Sequence, residues 1–451
     1  MLVIIHGWSD NYSSFKELAK QLSSSSGLAG IGAKIEEIHL GDYISLNDHV
    51  TFNDLTEAME KAWMDRGLPR EPRSVDAVVH STAGLVIRDW LVKYCKPETA
   101  PIKRLLMLAP ANFGSPLAHT GRSVIGRAVK GWGGSRLFET GTQILKGLEL
   151  ASPYSWDLAE RDLFGAEKAF YGPGRILCTV LVGNTGYSGI SAIANKPGSD
   201  GTVRVSTANL NAAKVTLNFH VNKSSQDIST LSLVESTGFA FGVVDGEDHG
   251  TIAAKGHGHE NQGTGLYIRD ALTVEDGEFE VWQDTLRQET ERVMELRRAQ
   301  GDDYFAGYQN TVVRLVDNYG MGVSDYVFEL YANEDKTARD KKLTQAIQET
   351  VVNNVHVYAD DPSYRSLLIN CDKLYALFDK PTDRLNISVT AYPEMKKDKV
   401  GYRTYTDRDI GYLSLSPEQM RTVFKPNRTL LVKVEIQRLQ SDEVFRFKAV
   451  E

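Results

Sequence analysis

The strongest constraint on the fold is a regular alternation of short apolar runs with helical patterns along roughly the first quarter of the chain. Runs rich in β-branched residues predict four strands, at residues 2–5, 34–40, 75–80 and 103–108. Apolar residues spaced three and four apart predict helices between them, at residues 12–24, 52–65 and 82–94. Strands and helices that alternate in this way form βαβ units around a parallel sheet. The N-terminal part of the chain is therefore predicted to be an α/β domain.

The alternation stops between about residues 117 and 170, where amphipathic pieces lie between glycine-rich turns. We expect this insertion to form a helical cap over any functional site that the first domain carries, and packing away from such a site is the alternative. Strand patterns return at residues 176–182, 215–221 and 238–244, and a helix at 280–298 follows. The first domain is therefore predicted to span residues 1–300.

A different pattern begins after Gly301-Asp302-Asp303, where apolar and polar residues alternate with a period of two. It predicts strands at residues 311–316, 326–331, 385–392, 430–437 and 444–448, with one helix at 336–350. This is typical of a β-sandwich, so residues 303–451 are predicted to form an all-β, sandwich-like domain. A length of 451 residues suits two domains, because single hydrophobic cores stop growing near ~250–300 residues.

The composition excludes several classes of partner and cofactor. The net charge is −8, and no long basic run is present, so we expect no nucleic-acid partner. The three cysteines, Cys95, Cys178 and Cys371, are widely separated, which indicates neither a disulfide framework nor a cysteine-based zinc site. The apolar start at residues 1–5 lacks a charged segment and resembles a buried strand more than a signal peptide. We therefore expect a cytoplasmic protein, or one exported without a cleavable signal peptide.

The segment from Val75 to Arg88 places one serine between a β-branched strand and a helix. Such a turn lifts the serine hydroxyl above the sheet, and the helix start directs backbone N–H groups at the same place. The usual turn has glycine two residues on either side of the serine, where this chain has Val79 and Ala83. Ser81 is a candidate nucleophile, and the alternative is that it only caps the helix.

A second turn, at His6-Gly7-Trp8, directly follows the first strand. A glycine-containing turn at this place presents a backbone N–H to the serine turn. The N–H groups of Trp8 and Thr82 are therefore predicted to bind the oxyanion of a tetrahedral intermediate.

Four segments, in this order, resemble those of α/β-hydrolase serine lipases and esterases. They read IIHGW at residues 4–8, HSTAGLV at 80–86, LAPANFGSPLA at 108–118 and ELASPYSWDL at 149–158. The chain is similar in these segments to triacylglycerol lipases and to GPI inositol-deacylase-like lipases. The resemblance covers about residues 1–260 and implies an α/β-hydrolase fold with a mostly parallel sheet and a helical cap.

The resemblance also implies a catalytic triad in the order serine, acid, histidine. Asp200, in Ser199-Asp200-Gly201, is the candidate acid, with a simple Asp-Gly turn as the alternative. His249 follows the last predicted strand of the sheet and is the candidate base. His257 and His259 are its rivals, with His257 ranked next after His249, although a flexible surface loop is the favoured interpretation of both. His220 is interpreted as a packed strand residue.

If these residues meet, the chemistry is acyl transfer to Ser81 and then to water, with no metal or cofactor. The resemblance implies a carboxylic ester with an acyl chain, such as a phospholipid or an acylglycerol. The alternative is an inactive hydrolase scaffold whose β-domain binds a ligand or a protein, since both usual glycines of the turn are replaced. For the C-terminal domain, two roles stay open: contact with a membrane surface or a carbohydrate, or packing and assembly alone.

Overall fold

The chain forms two compact units, and the first contains the N-terminal α/β region. The computed structural model describes residues 1–7, 14–24, 31–45, 47–118, 141–165, 169–219, 232–255, 258–333, 339–392, 399–402, 413–441 and 444. The first unit comprises Met1–Asn211 and Ser236–Ala306, and the second comprises Ala212–Glu235 and Gly307–Glu451. Within the described ranges, no helix combines the length and the apolar character that crossing a membrane requires.

A six-stranded parallel sheet forms the centre of the first unit. Numbered along the chain, its strands are β1 Leu2–His6, β2 Ile35–His39, β3 Val75–His80, β4 Ile102–Leu108, β5 Leu177–Gly183 and β8 Phe239–Val244. Their order in the sheet is β2-β1-β3-β4-β5-β8, and every pair is parallel. Every residue of β1, β5 and β8 is buried, as expected for parallel strands covered on both faces.

Eight described α-helices belong to the same unit. They are α1 Lys16–Ser23, α2 Phe52–Asp65, α3 Ala83–Tyr94, α4 Thr142–Leu148, α5 Pro153–Asp162, α6 Val205–Ala208, α7 Thr264–Thr273 and α8 Phe279–Ala299. The start of α2 shows how the local sequence sets a boundary. Thr51 and Asp54 form a capping box in which each side chain accepts a hydrogen bond from the other residue's backbone N–H, and this satisfies two N–H groups at the helix end.

The segment predicted to be a cap is described only in part, because residues 119–140 lie outside the described residues. Helix α5 is tied to α3 by a buried ion pair, in which Arg88 Nε and Nη2 donate to Asp162 over 2.7 and 2.9 Å. This part of the segment therefore packs on a helix of the first unit. A cap over the site stays a prediction.

The second unit contains two main sheets and a short ribbon. Its strands are β6 Ala213–Phe219, β7 Ser232–Glu235, β9 Tyr308–Asp317, β10 Tyr326–Ala332, β11 Val352–Val357, β12 Tyr364–Asn370, β13 Leu385–Ala391, β14 Val400–Tyr402, β15 Leu413–Leu415, β16 Thr429–Ile436 and β17 Arg438–Gln440. The larger sheet has the order β11-β12-β9-β16-β6-β7, the smaller has β10-β13-β15, and β14 pairs with β17. Three described α-helices accompany them: α9 Lys341–Ala346, α10 Cys371–Leu377 and α11 Pro417–Val423.

Side chains from both main sheets share one hydrophobic core, which includes Leu217 of β6, Val313 of β9, Leu330 of β10 and Val389 of β13. The larger sheet is mixed, since β16 runs parallel to both β9 and β6. The C-terminal region is thus a β-rich unit, as predicted, although it is not built from antiparallel pairs alone.

The strand predicted at residues 215–221 was assigned to the wrong sheet. Residues 213–219 form β6, which pairs with β16 from Ala213↔Leu430 to Phe219↔Ile436, and residues 220–221 lie outside the described residues. Alternate residues of β6, including Val215 and Leu217, are buried in the core of the second unit. An alternating pattern identifies a strand but does not identify its partner. The first unit is consequently not one continuous segment over residues 1–300.

Candidate active site

Ser81 lies at the sharp turn between β3 and α3 and has a backbone φ of +56°. Left-handed backbone is uncommon for a residue with a side chain and costs about 1–2 kcal/mol, so the surroundings have to hold it. The Ser81 N–H donates to the carbonyl of Leu108 over 3.2 Å, and its own carbonyl accepts from Gly84 and Ala111 over 3.1 and 3.3 Å. The turn is thereby tied to the end of the neighbouring strand, β4.

The glycine that this turn requires is Gly84, in the first turn of α3. A Cβ at this position would lie 2.7 Å from the Cβ of Pro110, closer than real Cβ contacts allow. Val79 and Ala83, which replace the usual glycines, are both buried. The structure shows a close contact between the helix and the segment after β4 at Gly84, one residue after Ala83. Sequence reasoning missed Gly84, although the Ser-Thr-Ala-Gly order contains it.

His249 follows β8 and connects the serine with the acid. Its Nε2 lies 3.1 Å from Ser81 Oγ, and its Nδ1 lies 3.0 Å from Asp200 Oδ2. Because a carboxylate only accepts hydrogen bonds, Nδ1 carries the proton and Nε2 is left to accept from the serine hydroxyl. All three side chains are buried. The structure thus brings Ser81, His249 and Asp200 into one continuous hydrogen-bond chain.

Asp200 is oriented by its own turn between β5 and α6. Its Oδ1 accepts from the backbone N–H groups of Thr202 and Val203 over 3.0 and 2.8 Å, while Oδ2 faces His249. The His249 N–H also donates to the Asp200 carbonyl over 2.9 Å. Asp200 therefore forms a turn and also presents a carboxylate to the imidazole, so the two interpretations of this residue are compatible.

A second imidazole supports the backbone of His249. His80, the last residue of β3, is buried, and its Nε2 lies 2.8 Å from the His249 carbonyl oxygen. Burial, with smaller contributions from the charges of Lys255 and His249, lowers the pKa of His80 well below its ordinary value. The ring is therefore neutral near pH 7, and it donates Nε2–H to the carbonyl. No role was predicted for His80 from sequence.

Of the two predicted oxyanion donors, the structure describes Thr82. Thr82 follows Ser81 directly, is buried, and its backbone N–H donates to no other group within the described residues. Such an N–H beside the serine hydroxyl is suited to bind an oxyanion. Trp8, the other predicted donor, lies outside the described residues.

Of the other three candidate histidines, the structure describes His259. His220 and His257 lie outside the described residues. His259 Nδ1 lies 2.9 Å from the carbonyl oxygen of Thr251, where it supports the loop after His249. One described cluster with metal-binding chemistry, His6 with Glu37 and His39, lies outside the hydrogen-bond chain of Ser81.

The parallel sheet, with a strained serine turn after β3, an acid after β5 and a histidine after β8, has the arrangement of an α/β-hydrolase fold. The predicted fold of the N-terminal region is thus confirmed.

Solved structures of the phospholipase PlaB from Legionella pneumophila have the same fold over nearly the whole length of this chain. One of them, in complex with thio-NAD, is 23% identical with a TM-score of 0.80, and the similarity covers 99% of this chain and 96% of that chain. A second PlaB structure is 24% identical, with the same TM-score and coverage. No protein-family model matches the chain, and no curated protein sequence matches it.

Proposed function

We propose that this chain is a serine hydrolase that cleaves carboxylic esters of acyl-chain lipids, as a lipase or phospholipase. The observation that carries the proposal is the hydrogen-bond chain from Ser81 Oγ through His249 to Asp200, over 3.1 and 3.0 Å. A serine that only capped α3 would not need an imidazole at its hydroxyl. Nor would it need a buried carboxylate behind that imidazole.

In the proposed reaction, Ser81 Oγ attacks the ester carbonyl carbon while His249 Nε2 accepts the hydroxyl proton. The resulting imidazolium is stabilised and oriented by Asp200. The N–H of Thr82, with that of Trp8 as the predicted second donor, stabilises the negative oxygen of the tetrahedral intermediate. His249 then returns the proton to the leaving alcohol, and water releases the acyl group through the same two proton transfers in reverse.

A lipid substrate is supported by two observations of different kinds. Four sequence segments resemble those of lipases, and the fold shared over 99% of the chain is that of a protein described as a phospholipase. Contact of the second unit with a membrane surface or a carbohydrate stays a prediction. The proposal assigns the chemistry to the first unit and leaves the head group open.

A fluorophosphonate probe tests the nucleophile directly. We expect the full chain to be labelled at Ser81, and Ser81→Ala to abolish labelling and to lower ester hydrolysis by about 10⁴-fold or more. Ser23→Ala is the matched control, because Ser23 is an exposed serine at the end of α1, and it should behave as wild type. A wild-type chain that is neither labelled nor active would favour the inactive scaffold.

The substrate class is tested separately with p-nitrophenyl esters of graded chain length and with phosphatidylcholine vesicles. We expect activity on long-chain esters and on the vesicles, and none of either in Ser81→Ala. Activity confined to short soluble esters would reject the lipid substrate and keep the serine hydrolase.

A further inference from the structure

Three metal-ligating side chains meet at the carboxyl edge of the first unit's sheet, on the two neighbouring strands β1 and β2. His6 ends β1 and lies directly opposite His39, which ends β2. Glu37 lies two residues before His39 and therefore points to the same face of the sheet. One ligand atom from each of these residues lies within 4.8 Å of the other two. The register of two parallel strands thus assembles the cluster.

The distances suit a small divalent transition-metal ion. Zinc binds imidazole nitrogen and carboxylate oxygen at about 2.0–2.2 Å in tetrahedral geometry, which places neighbouring ligand atoms about 3.4 Å apart. His39 Nε2 lies 3.4 Å from Glu37 Oε2, and His6 Nε2 lies 2.9 Å from the same oxygen. The ligand atoms of His6 and His39 lie within 4.8 Å of each other, so a rearrangement of these side chains would bring all three atoms to bonding distance of one ion.

The burial of the His6, Glu37 and His39 side chains helps to distinguish a metal site from an ordinary hydrogen-bonded group. The side chain of His6 is fully buried, whereas that of Glu37 is 33% exposed, so the cluster is closed on the strand side and open to solvent at the carboxylate. A hydrogen bond between His6 and Glu37 alone would account for one imidazole. His39 adds a second imidazole at the same carboxylate: its ring is also buried and lies 3.8 Å from the ring of His6, and its Nε2 lies 3.4 Å from Glu37 Oε2.

We propose that His6, Glu37 and His39 form a binding site for a divalent transition-metal ion, with Zn²⁺ as the ion that the ligand set fits best. Two imidazoles and one carboxylate are a recognised zinc ligand set, which leaves a fourth position for water. The imidazoles bind in their neutral form and the glutamate as its anion. Because His6 is the last residue of β1 and directly precedes Gly7, a bound ion would restrain the backbone at the end of this strand.

The experiment uses the full chain after removal of metals with EDTA and dialysis, followed by calorimetric titration with Zn²⁺. We expect one ion bound per chain, loss of this binding in His39→Ala, and weaker binding in Glu37→Gln. His49→Ala is the matched control, since His49 is an exposed histidine outside the cluster, and its binding should equal that of the wild type. Co²⁺ in place of Zn²⁺ should give the intense visible absorption of a four-coordinate site in the wild type and in His49→Ala alone.

Thermal unfolding provides a second readout for variants whose folding is in doubt. Zn²⁺ should raise the Tm of the wild type, because it binds the folded state only, and it should leave the Tm of folded Glu37→Gln nearly unchanged. The proposal is overturned by a wild type that binds no Zn²⁺, or by His39→Ala and Glu37→Gln that bind as the wild type does. None of these measurements uses ester hydrolysis, so they succeed or fail independently of the proposed function.

Discussion

The two units differ in the separation along the chain between strands that are neighbours in a sheet. In the first unit, β1, β3, β4 and β5 are adjacent in the sheet in the order in which they occur in the chain, with helices filling the crossovers that parallel pairing requires. In the second unit, β6 comes from the middle of the chain and pairs with β16 near its end. Patterns of neighbouring residues therefore predict the first sheet better than the second.

Along the sequence, the chain enters the second unit between two of the candidate catalytic residues. Residues Ala212–Glu235 belong to the second unit, and they lie in sequence between Asp200 and His249. The acid and the histidine are thus separated by a segment that completes another sheet, yet both return to the serine turn. The hydrogen-bond chain itself is contributed by the first unit alone.

The largest expected effect tests whether the chemistry belongs to the first unit alone. Asp200→Asn should lower kcat by about 10⁴-fold, because an amide no longer holds the imidazole in the tautomer that accepts the serine proton. Steady-state hydrolysis of a p-nitrophenyl ester measures the effect. Asp65→Asn, at the exposed end of α2, serves as the control and should keep wild-type activity. A loss of less than tenfold in Asp200→Asn would remove this residue from the mechanism.

The second largest expected effect tests the assignment of β6 to the second unit. Leu217→Ala removes a buried side chain from the core shared by the two sheets and should lower the free energy of unfolding of that unit by about 2–5 kcal/mol. Hydrogen–deuterium exchange should accelerate in β9 and β16 more than in β3. The matched variant Leu105→Ala, in the buried strand β4, should show the opposite distribution. If Leu217→Ala instead accelerated exchange in β3, β6 would have to be assigned to the sheet of the first unit.

The smallest effect concerns the pH dependence of stability in the first unit. Burial lowers the pKa of His80 below 6.5, its ordinary value, so below pH 6.5 the unfolded chain binds a proton that the folded chain does not. The free energy of unfolding should therefore fall with decreasing pH, by at most about 1.4 kcal/mol per pH unit from this group. His80→Gln, whose amide can still donate to the His249 carbonyl, should show a shallower fall in urea titrations between pH 7 and pH 5. An unchanged slope would show that His80 is protonated in the folded state.

The elements predicted best are those whose signals are local. Helix α2 has the predicted bounds, 52–65, and strand β3 has the predicted bounds, 75–80. The convergence of Ser81, Asp200 and His249 could also be anticipated, because the carboxyl ends of parallel strands meet at one edge of a sheet. Each of these residues follows a strand whose apolar run is recognisable without knowing its neighbours.

Other features depend on which strands become neighbours, and no local pattern contains that information. The pairing of β6 with β16, the approach of Gly84 to Pro110, and the position of His80 behind His249 each join residues that are not adjacent in the chain. The same is true of His6 and His39, whose meeting depends on the register of β1 against β2.

The amino-acid sequence by itself determined the alternating strands and helices of the first unit and the serine turn, because these follow from periodicity and from residue types at short range. The order of the three candidate catalytic residues was implied by the resemblance of four segments to those of α/β-hydrolase lipases. Only the tertiary structure decided which of the sheets is completed by residues 213–219, and which imidazoles lie beside a carboxylate. Strand pairing is selected by the burial of whole faces against distant partners, and that free energy is a property of the folded chain rather than of any single segment.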